Sequence, residues 1–135
     1  EAMRLSLLGG LQIYTEIVGI LGTLPQMDRA RTLRLAEAAA QRGAAEKLDL
    51  LFTLLEIALA RLARTGATGK PPEVEAAPNE AAVLFRLSHT PHQGRAWADI
   101  SHEALSRARH GRAVNLDPAA LVLDTIFKIQ SAATA

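Results

Sequence analysis

Apolar residues recur at steps of three and four along most of the chain, a spacing typical of amphipathic helices. The longest stripe lies within residues 45–65 and consists of Leu48, Leu51, Phe52, Leu55, Leu59 and Leu62. Further apolar side chains at Leu50, Leu54 and Ile57 widen this stripe to most of the helix circumference. A helix that is apolar on nearly every side is buried by several neighbours, so we expect residues 45–65 at the centre of a bundle.

Glycine and proline divide the rest of the chain into shorter periodic segments. The other predicted helices cover residues 2–8, 11–23, 29–42, 80–88, 119–130 and a segment between Pro91 and residue 112. Gly9-Gly10 is expected to stop the first of them and Gly111 the one after Pro91, while the tail 131–135 is expected to fray. Residues 66–78 contain two glycines and three prolines, which predicts a long surface loop.

Three side chains stand where they can cap helix N-termini, since Asp and Asn oxygens accept hydrogen bonds from the first free backbone N–H groups. Asp28, Asn79 and Asp117 each directly precede a predicted helix. Pro118 follows Asp117 at the first helical position, where a missing N–H costs nothing. The links between most of these helices are short, which favours antiparallel packing of consecutive helices.

The composition favours helices throughout. The 135 residues form a one-domain length and include 26 Ala and 21 Leu, against 12 Val and Ile together. Strands are enriched in β-branched and aromatic side chains, so the composition argues against a β-sandwich or barrel and predicts an all-α, compact bundle of about six helices. The chain has no cysteine, which excludes disulfides, thiolate metal sites and a cysteine nucleophile.

The charge balance does not point to a particular class of partner. Fifteen basic and fourteen acidic residues leave a net charge of +1, so bulk charge gives no reason to expect nucleic acid or an acidic ligand. No apolar run reaches the ~18–20 residues of a membrane span, and no signal-peptide pattern opens the chain. The sequence begins Glu1-Ala2-Met3, so we expect it to be a piece of a longer protein.

The four histidines lie in one quarter of the sequence, which raises the possibility of a metal site. They are His89, His92, His102 and His110. Zinc needs three or four convergent ligands, but Pro91 separates the first two histidines, and Ser106 stands where a His-Glu-x-x-His motif would need its second histidine. Solvated or capping histidines are therefore expected, and no metal or other cofactor is predicted.

Neither a nucleotide site nor a catalytic group of side chains is indicated. The segment 66–71 shares only a Gly-Lys pair with a phosphate-binding loop, because Pro71 follows Lys70 and no strand precedes it. No Ser-His-Asp arrangement is visible locally. Asp49 and Asp124 lie among apolar residues of strongly apolar helices, and both are expected to face outward because a buried carboxylate needs a partner.

A basic cluster follows at the end of the helix that begins after Pro91. Arg107, Arg109 and Arg112 lie there together with His110. Nucleic-acid contacts use such clusters, but cations near a helix C-terminus also match the helix dipole. A DNA-facing role for the three arginines and a purely structural role are both open at this point.

One stretch is less generic than the helical patterning. It runs from Arg107 to Ile129 and contains the tetrapeptide Asn115-Leu116-Asp117-Pro118. This stretch resembles the C-terminal end of the bacterial DNA polymerase III delta-prime subunit, the stator subunit of the sliding-clamp loader, in its alphaproteobacterial type. The segments Leu11-Gln-Ile-Tyr, Leu24-Pro, Asp28-Arg-Ala-Arg, 49–56 and 61–69 are similar to the same family, so the resemblance covers nearly the whole chain from about residue 9.

The resemblance implies a role in DNA replication in the cytoplasm, as part of an assembly. Residues 1–8 would be a stub of the preceding AAA+ lid helix, and residues 9–135 would be the helical collar domain. The collar would hold the subunit to the delta and gamma/tau subunits. The nucleotide-binding motifs would lie before Glu1, so the resemblance implies no enzyme activity and no cofactor in this chain.

A collar domain has to offer apolar surface to its neighbours, and large apolar side chains carry most of the energy of such interfaces. The candidate anchors are Trp97, Leu121, Ile126 and Ile129. Plain core packing is an equal interpretation for each of them. The alternative function is a stand-alone helical adaptor or interaction domain unrelated to replication.

Overall fold

A computed structural model describes residues 2–41, 43 and 45–134. This part of the chain forms six helices and contains no strand. The helices are α1 (Ala2–Thr23), α2 (Arg29–Ala39), α3 (Ala45–Thr68), α4 (Glu80–Leu87), α5 (Pro91–Ala113) and α6 (Pro118–Thr134). The predicted all-α bundle is therefore confirmed. Glu1, Arg42 and Ala135, which the predicted elements include, lie outside the described residues.

Helix α3 is the centre of the bundle, as its apolar circumference predicts. It packs against α1, α2, α4 and most extensively α5, while α6 closes the bundle against α2 and α5. Its buried side chains include every member of the stripe within residues 45–65. The core is mainly aliphatic, with Phe52, Tyr14 and Trp97 as its aromatic members.

The predicted break at Gly9-Gly10 is wrong, because α1 runs through both glycines. Two interior glycines cost about 2 kcal/mol of helix propensity relative to Ala. Burial of Ile13, Tyr14 and Ile17 along the same helix outweighs that cost. The helix thus passes through the boundary predicted at residue 8, and the division into stub and collar domain stays a prediction.

Two of the three predicted N-caps are confirmed. Asp28 accepts a hydrogen bond from the backbone N–H of Arg31 at 3.0 Å, and Asp117 accepts one from Ala120 at 2.9 Å. Asn79 is the exception, because it has φ 65° in the left-handed region and its side chain makes no capping bond.

A residue further back along the chain caps α4 in place of Asn79. Glu75 Oε2 accepts the backbone N–H of Ala81 at 2.8 Å. The loop before α4 folds back to bring this carboxylate to the helix N-terminus, where negative charge is favourable.

The residues of the short link between α5 and α6 either end α5 or begin α6. Asn115 has φ 60° and its N–H donates to Arg112 O, while the N–H of Leu116 donates to Gly111 O at 2.9 Å. This pair of bonds is a Schellman motif, which satisfies the last carbonyls of a helix. Asp117 then caps α6 and Pro118 begins it.

Three helices end later in the sequence than predicted from the glycines and from the composition of the tail. Helix α3 includes Gly66 and ends at Thr68, so the predicted loop begins only at residue 69. Helix α5 includes Gly111 and ends at Ala113. Helix α6 continues to Thr134, so it ends four residues beyond the predicted end at residue 130, and the fraying of the tail stays a prediction.

Gly66 is needed inside α3 because α3 and α5 cross there in backbone contact. A Cβ atom on Gly66 would lie 2.5 Å from the backbone N of Gly94, and a Cβ on Gly94 would lie 2.7 Å from Ala63 O. Side chains at either position would force the helices apart.

Ser88 reinforces this crossing, since its buried hydroxyl donates to Leu62 O at 2.6 Å. Within the described residues, no helix combines the length and the apolar content that crossing a membrane would require.

Candidate functional site

A buried polar cluster of three side chains lies where α1, α3 and α4 meet. Glu80, the first residue of α4, is fully buried, and Tyr14 of α1 is 3% exposed. The Tyr14 hydroxyl donates to Glu80 Oε2. Arg61 of α3 places Nε 2.9 Å from the same oxygen, and its Nη2 donates to Glu80 Oε1 at 3.0 Å. The carboxylate is thus paired and hydrogen-bonded, as a buried charge has to be.

The cluster also reaches the backbone of the loop 69–79. Glu80 Oε1 accepts the N–H of Ala76 at 2.7 Å, and Arg61 Nη2 donates to Val74 O at 2.8 Å. Burial, then the hydrogen bond and the charge of Glu80, raise the pKa of Tyr14 well above its usual range. The donors around Glu80 and its lack of solvent exposure suit a structural role rather than proton transfer.

No pattern in the sequence points to this cluster. Tyr14 lies within the predicted helix 11–23, and Arg61 lies near the end of the predicted helix 45–65. Glu80 is the first residue of the predicted helix 80–88, where an acidic residue is favourable for any helix. The three positions share no period or motif, so only the tertiary fold brings them together.

The four histidines do not share a metal site in the part of the chain that the structure describes. All four are exposed. Within residues 2–41, 43 and 45–134, no group of three or more His, Asp or Glu side chains is arranged to hold a metal ion.

The predicted DNA-facing arginines lie on α5, and two of them are paired with carboxylates of α3. Arg109 Nη2 lies 2.9 Å from Glu56 Oε1, and Arg112 Nε lies 3.2 Å from Asp49 Oδ1. The hydrogen bond from Arg109 to Glu56 raises the pKa of the Arg109 guanidinium. Arg107 is exposed and makes no salt bridge within the described residues. The DNA-facing role stays a prediction, with Arg107 as its least engaged member.

Both carboxylates expected to face outward do so. Asp49 keeps 64% of its side chain exposed while it pairs with Arg112, and Asp124 is exposed on α6.

The four candidate interface anchors are core residues of this chain. Trp97, Leu121, Ile126 and Ile129 are between 2% and 8% exposed. Trp97 also donates its indole N–H to Leu87 O at 3.0 Å, which fixes α5 against α4. Core packing accounts for all four positions, and their direct contact with another subunit stays a prediction that their burial does not support.

The apolar surface that remains open includes a pair of side chains on α2 and α6. These helices are antiparallel, because Gln130 Nε2 donates to Pro25 O at 2.9 Å while the Arg29 guanidinium lies 5.9 Å from the Phe127 ring centroid. Leu33 lies one turn beyond Arg29 on α2 and is 46% exposed, and Phe127 is 39% exposed.

Leu123 lies one turn before Phe127 on α6, and its partly buried side chain packs on the core. We call the surface formed by Arg29, Leu33, Leu123 and Phe127 the α2–α6 face.

A groove runs between the first half of α1, α2 and the start of α3. Ile13 and Leu35 are among its apolar lining residues, and Arg31 and Glu16 are among its charged ones. Arg31 Nε lies 2.8 Å from Glu16 Oε2, which holds the pKa of the Glu16 carboxyl below its usual value. Gly19 leaves room for this pair, since a Cβ there would lie 2.3 Å from the Arg31 guanidinium.

Comparison of the chain with known protein families, with curated proteins and with solved structures yields no match. The functional argument therefore depends on the residues and contacts described above.

Proposed function

We propose that this chain is a helical oligomerisation domain, the C-terminal collar of a clamp-loader subunit of the delta-prime type. In this proposal it joins the neighbouring delta and gamma/tau subunits by helix packing and takes part in DNA replication. It contributes no catalytic group and no cofactor ligand of its own, and any contact of Arg107 with DNA is secondary.

The observation that carries the proposal is the α2–α6 face. Leu33 and Phe127 are 46% and 39% exposed on two adjacent helices whose other large apolar side chains lie in or against the core. Aromatic and large aliphatic side chains at the centre of a contact supply most of its binding energy. An antiparallel helix pair offers a shallow channel into which a helix of a neighbouring domain can pack.

Several polar side chains are engaged in contacts within the chain, which also supports an assembly role. Tyr14 and Arg61 Nη2 both donate hydrogen bonds to the buried Glu80 carboxylate, and Arg61 Nε lies 2.9 Å from it without a hydrogen bond. Arg109 and Arg112 are occupied in salt bridges between α5 and α3. These side chains make contacts within the chain, which suits a domain whose role is to present a surface.

Co-purification with the delta and gamma/tau subunits tests the proposal. The wild-type chain is expected to co-purify at micromolar concentration. Phe127→Asp and Leu33→Asp are expected to weaken association at least tenfold, because each buries a charge in the contact. Ile57→Asp is the matched control, since Ile57 is 44% exposed on α3, away from the α2–α6 face.

Failure of the wild-type chain to co-purify would contradict the collar proposal. A stable homodimer in gel filtration, without any association with those subunits, would favour the stand-alone adaptor. Equal loss of association in the Ile57 control would show that the face is not specific.

A further inference from the structure

We propose that the Arg61–Glu80–Tyr14 cluster is a latch that holds the loop 69–79 closed against the bundle, so that the loop has a latched state and a released state. The proposal is independent of the collar function, because it concerns contacts within the chain alone.

The first argument is that side-chain packing holds little of this loop. Residues 69, 70 and 73–76 are exposed, and Val74 keeps 80% of its side chain in solvent. Ala77 is its one buried member, at 5% exposure. The loop therefore gains too little apolar contact to offset the conformational entropy lost when its backbone is ordered.

The second argument is that the cluster fixes the backbone of the loop at two points. Arg61 Nη2 holds Val74 O at 2.8 Å, and Glu80 Oε1 holds the N–H of Ala76 at 2.7 Å. The two points lie on either side of Glu75, whose carboxylate caps α4 through Ala81. Release of the cluster would therefore free the middle of the loop and uncap α4 together.

Burial of the charges of this cluster has a free-energy cost. Removing the Glu80 carboxylate from water is unfavourable, and its partner Arg61 keeps only 29% of its side chain exposed. An ion pair that is largely removed from water commonly stabilises a fold no better than apolar residues of the same volume. Such a pair can instead select one conformation among several. Here the conformation selected is that of the loop, because two of the cluster's hydrogen bonds end on loop backbone atoms.

The loop offers its own reporter for the latched state. Glu73 and Glu75 provide cleavage sites for a Glu-specific endoprotease on either side of Val74. Cleavage requires local opening when the backbone is held, so its rate measures the released population. Amide exchange of Ala76 reports the same opening, because its N–H donates to Glu80.

Three variants test the latch under native conditions. Glu80→Gln removes the charge at nearly constant shape, and Tyr14→Phe removes one donor while it leaves the ion pair in place. Both are expected to speed loop cleavage and Ala76 exchange, by about 10- to 100-fold for Glu80→Gln and less for Tyr14→Phe, from the strength of charge-assisted hydrogen bonds. Glu56→Gln is the matched control, because it removes the exposed carboxylate partner of Arg109 and leaves the loop contacts intact.

Urea unfolding monitored by the single tryptophan separates the latch from general stability. Trp97 lies in the core, so its fluorescence follows the bundle. The proposal holds if loop opening rises by a larger factor than global unfolding in Glu80→Gln or Tyr14→Phe. It is overturned if opening and global unfolding rise together, if neither variant changes the loop, or if Glu56→Gln opens the loop equally. Tyr14→Phe decides the matter should Glu80→Gln not fold.

Discussion

The crossing of α3 and α5 at Gly66 and Gly94 predicts an unusual response to alanine. In most helix interiors, replacing glycine by alanine stabilises a protein, by about 1 kcal/mol from helix propensity. At Gly94 the new methyl group would lie 2.7 Å from Ala63 O and 2.9 Å from Ala67 N. These are backbone atoms, so the only relief is to separate two helices that pack along much of their length.

The magnitude follows from the distances. At Gly66 the new Cβ would lie 2.5 Å from Gly94 N and 2.6 Å from Ser88 Oγ, whereas ordinary contact begins at 3.4 Å. Such overpacking costs about 1–3 kcal/mol. Displacement of Ser88 from Leu62 O adds about 1 kcal/mol for a lost buried hydrogen bond. After the gain in helix propensity, Gly66→Ala is expected to lose about 1–3 kcal/mol of unfolding free energy.

Urea unfolding of Gly66→Ala, Gly94→Ala and Gly9→Ala measures this effect. Gly9 is the matched control, because it lies inside α1 and a Cβ there meets nothing within 4 Å. Gly9→Ala is expected to stabilise the chain by about 0.5–1 kcal/mol. The reasoning is refuted if Gly66→Ala and Gly94→Ala stabilise the chain as Gly9→Ala does.

Three further predictions concern single contacts. The only tyrosine, Tyr14, is expected to show no tyrosinate absorbance until the fold opens at high pH, because burial and Glu80 raise its pKa; ionisation in the native state near the usual value would contradict this. Arg31 lowers the pKa of Glu16, so this pair gives a small stabilisation above pH 4.5 that is lost as the pH falls through the lowered pKa. Arg31→Met is expected to remove it, so the free energy of unfolding measured in urea should depend less on pH in the acid range. An unchanged dependence on pH would argue against the pair. Asn115→Val is expected to destabilise the chain by about 1–2 kcal/mol while Asn115→Gly stays near neutral, because φ is 60° there; calorimetry that ranks the two in the reverse order would contradict the cap.

Features set by near neighbours in sequence were predictable. The stripe within residues 45–65 gives the central helix, because its period alone decides which faces are buried. Asp28 and Asp117 cap helices that begin at the next residue, so the cap and its target are read together.

The incorrect predictions share a physical cause, because each of these residues is controlled by a partner that is distant in the sequence or not visible in it. Gly66 lies inside α3 at the point where Gly94 of α5 approaches it, and α4 is capped by Glu75 instead of Asn79. The candidate interface anchors are large apolar side chains, and such side chains, Ile126 among them, pack in a core as well as in an interface.

The buried cluster was beyond prediction for the same reason. Tyr14, Arg61 and Glu80 lie on three helices and meet only after these have packed. No local pattern distinguishes this glutamate from any other in a first helical turn.

The link between α5 and α6 has a consequence for recognising relatives. Asn115 ends one helix, Leu116 completes that end, Asp117 begins the next helix and Pro118 is its first residue. Any chain that must turn from one helix into another within four residues is drawn to the same residue types, whatever its ancestry. Common descent is better judged from residue pairs that have no part in helix capping. Two such pairs are Gly66 with Gly94 and Arg61 with Glu80.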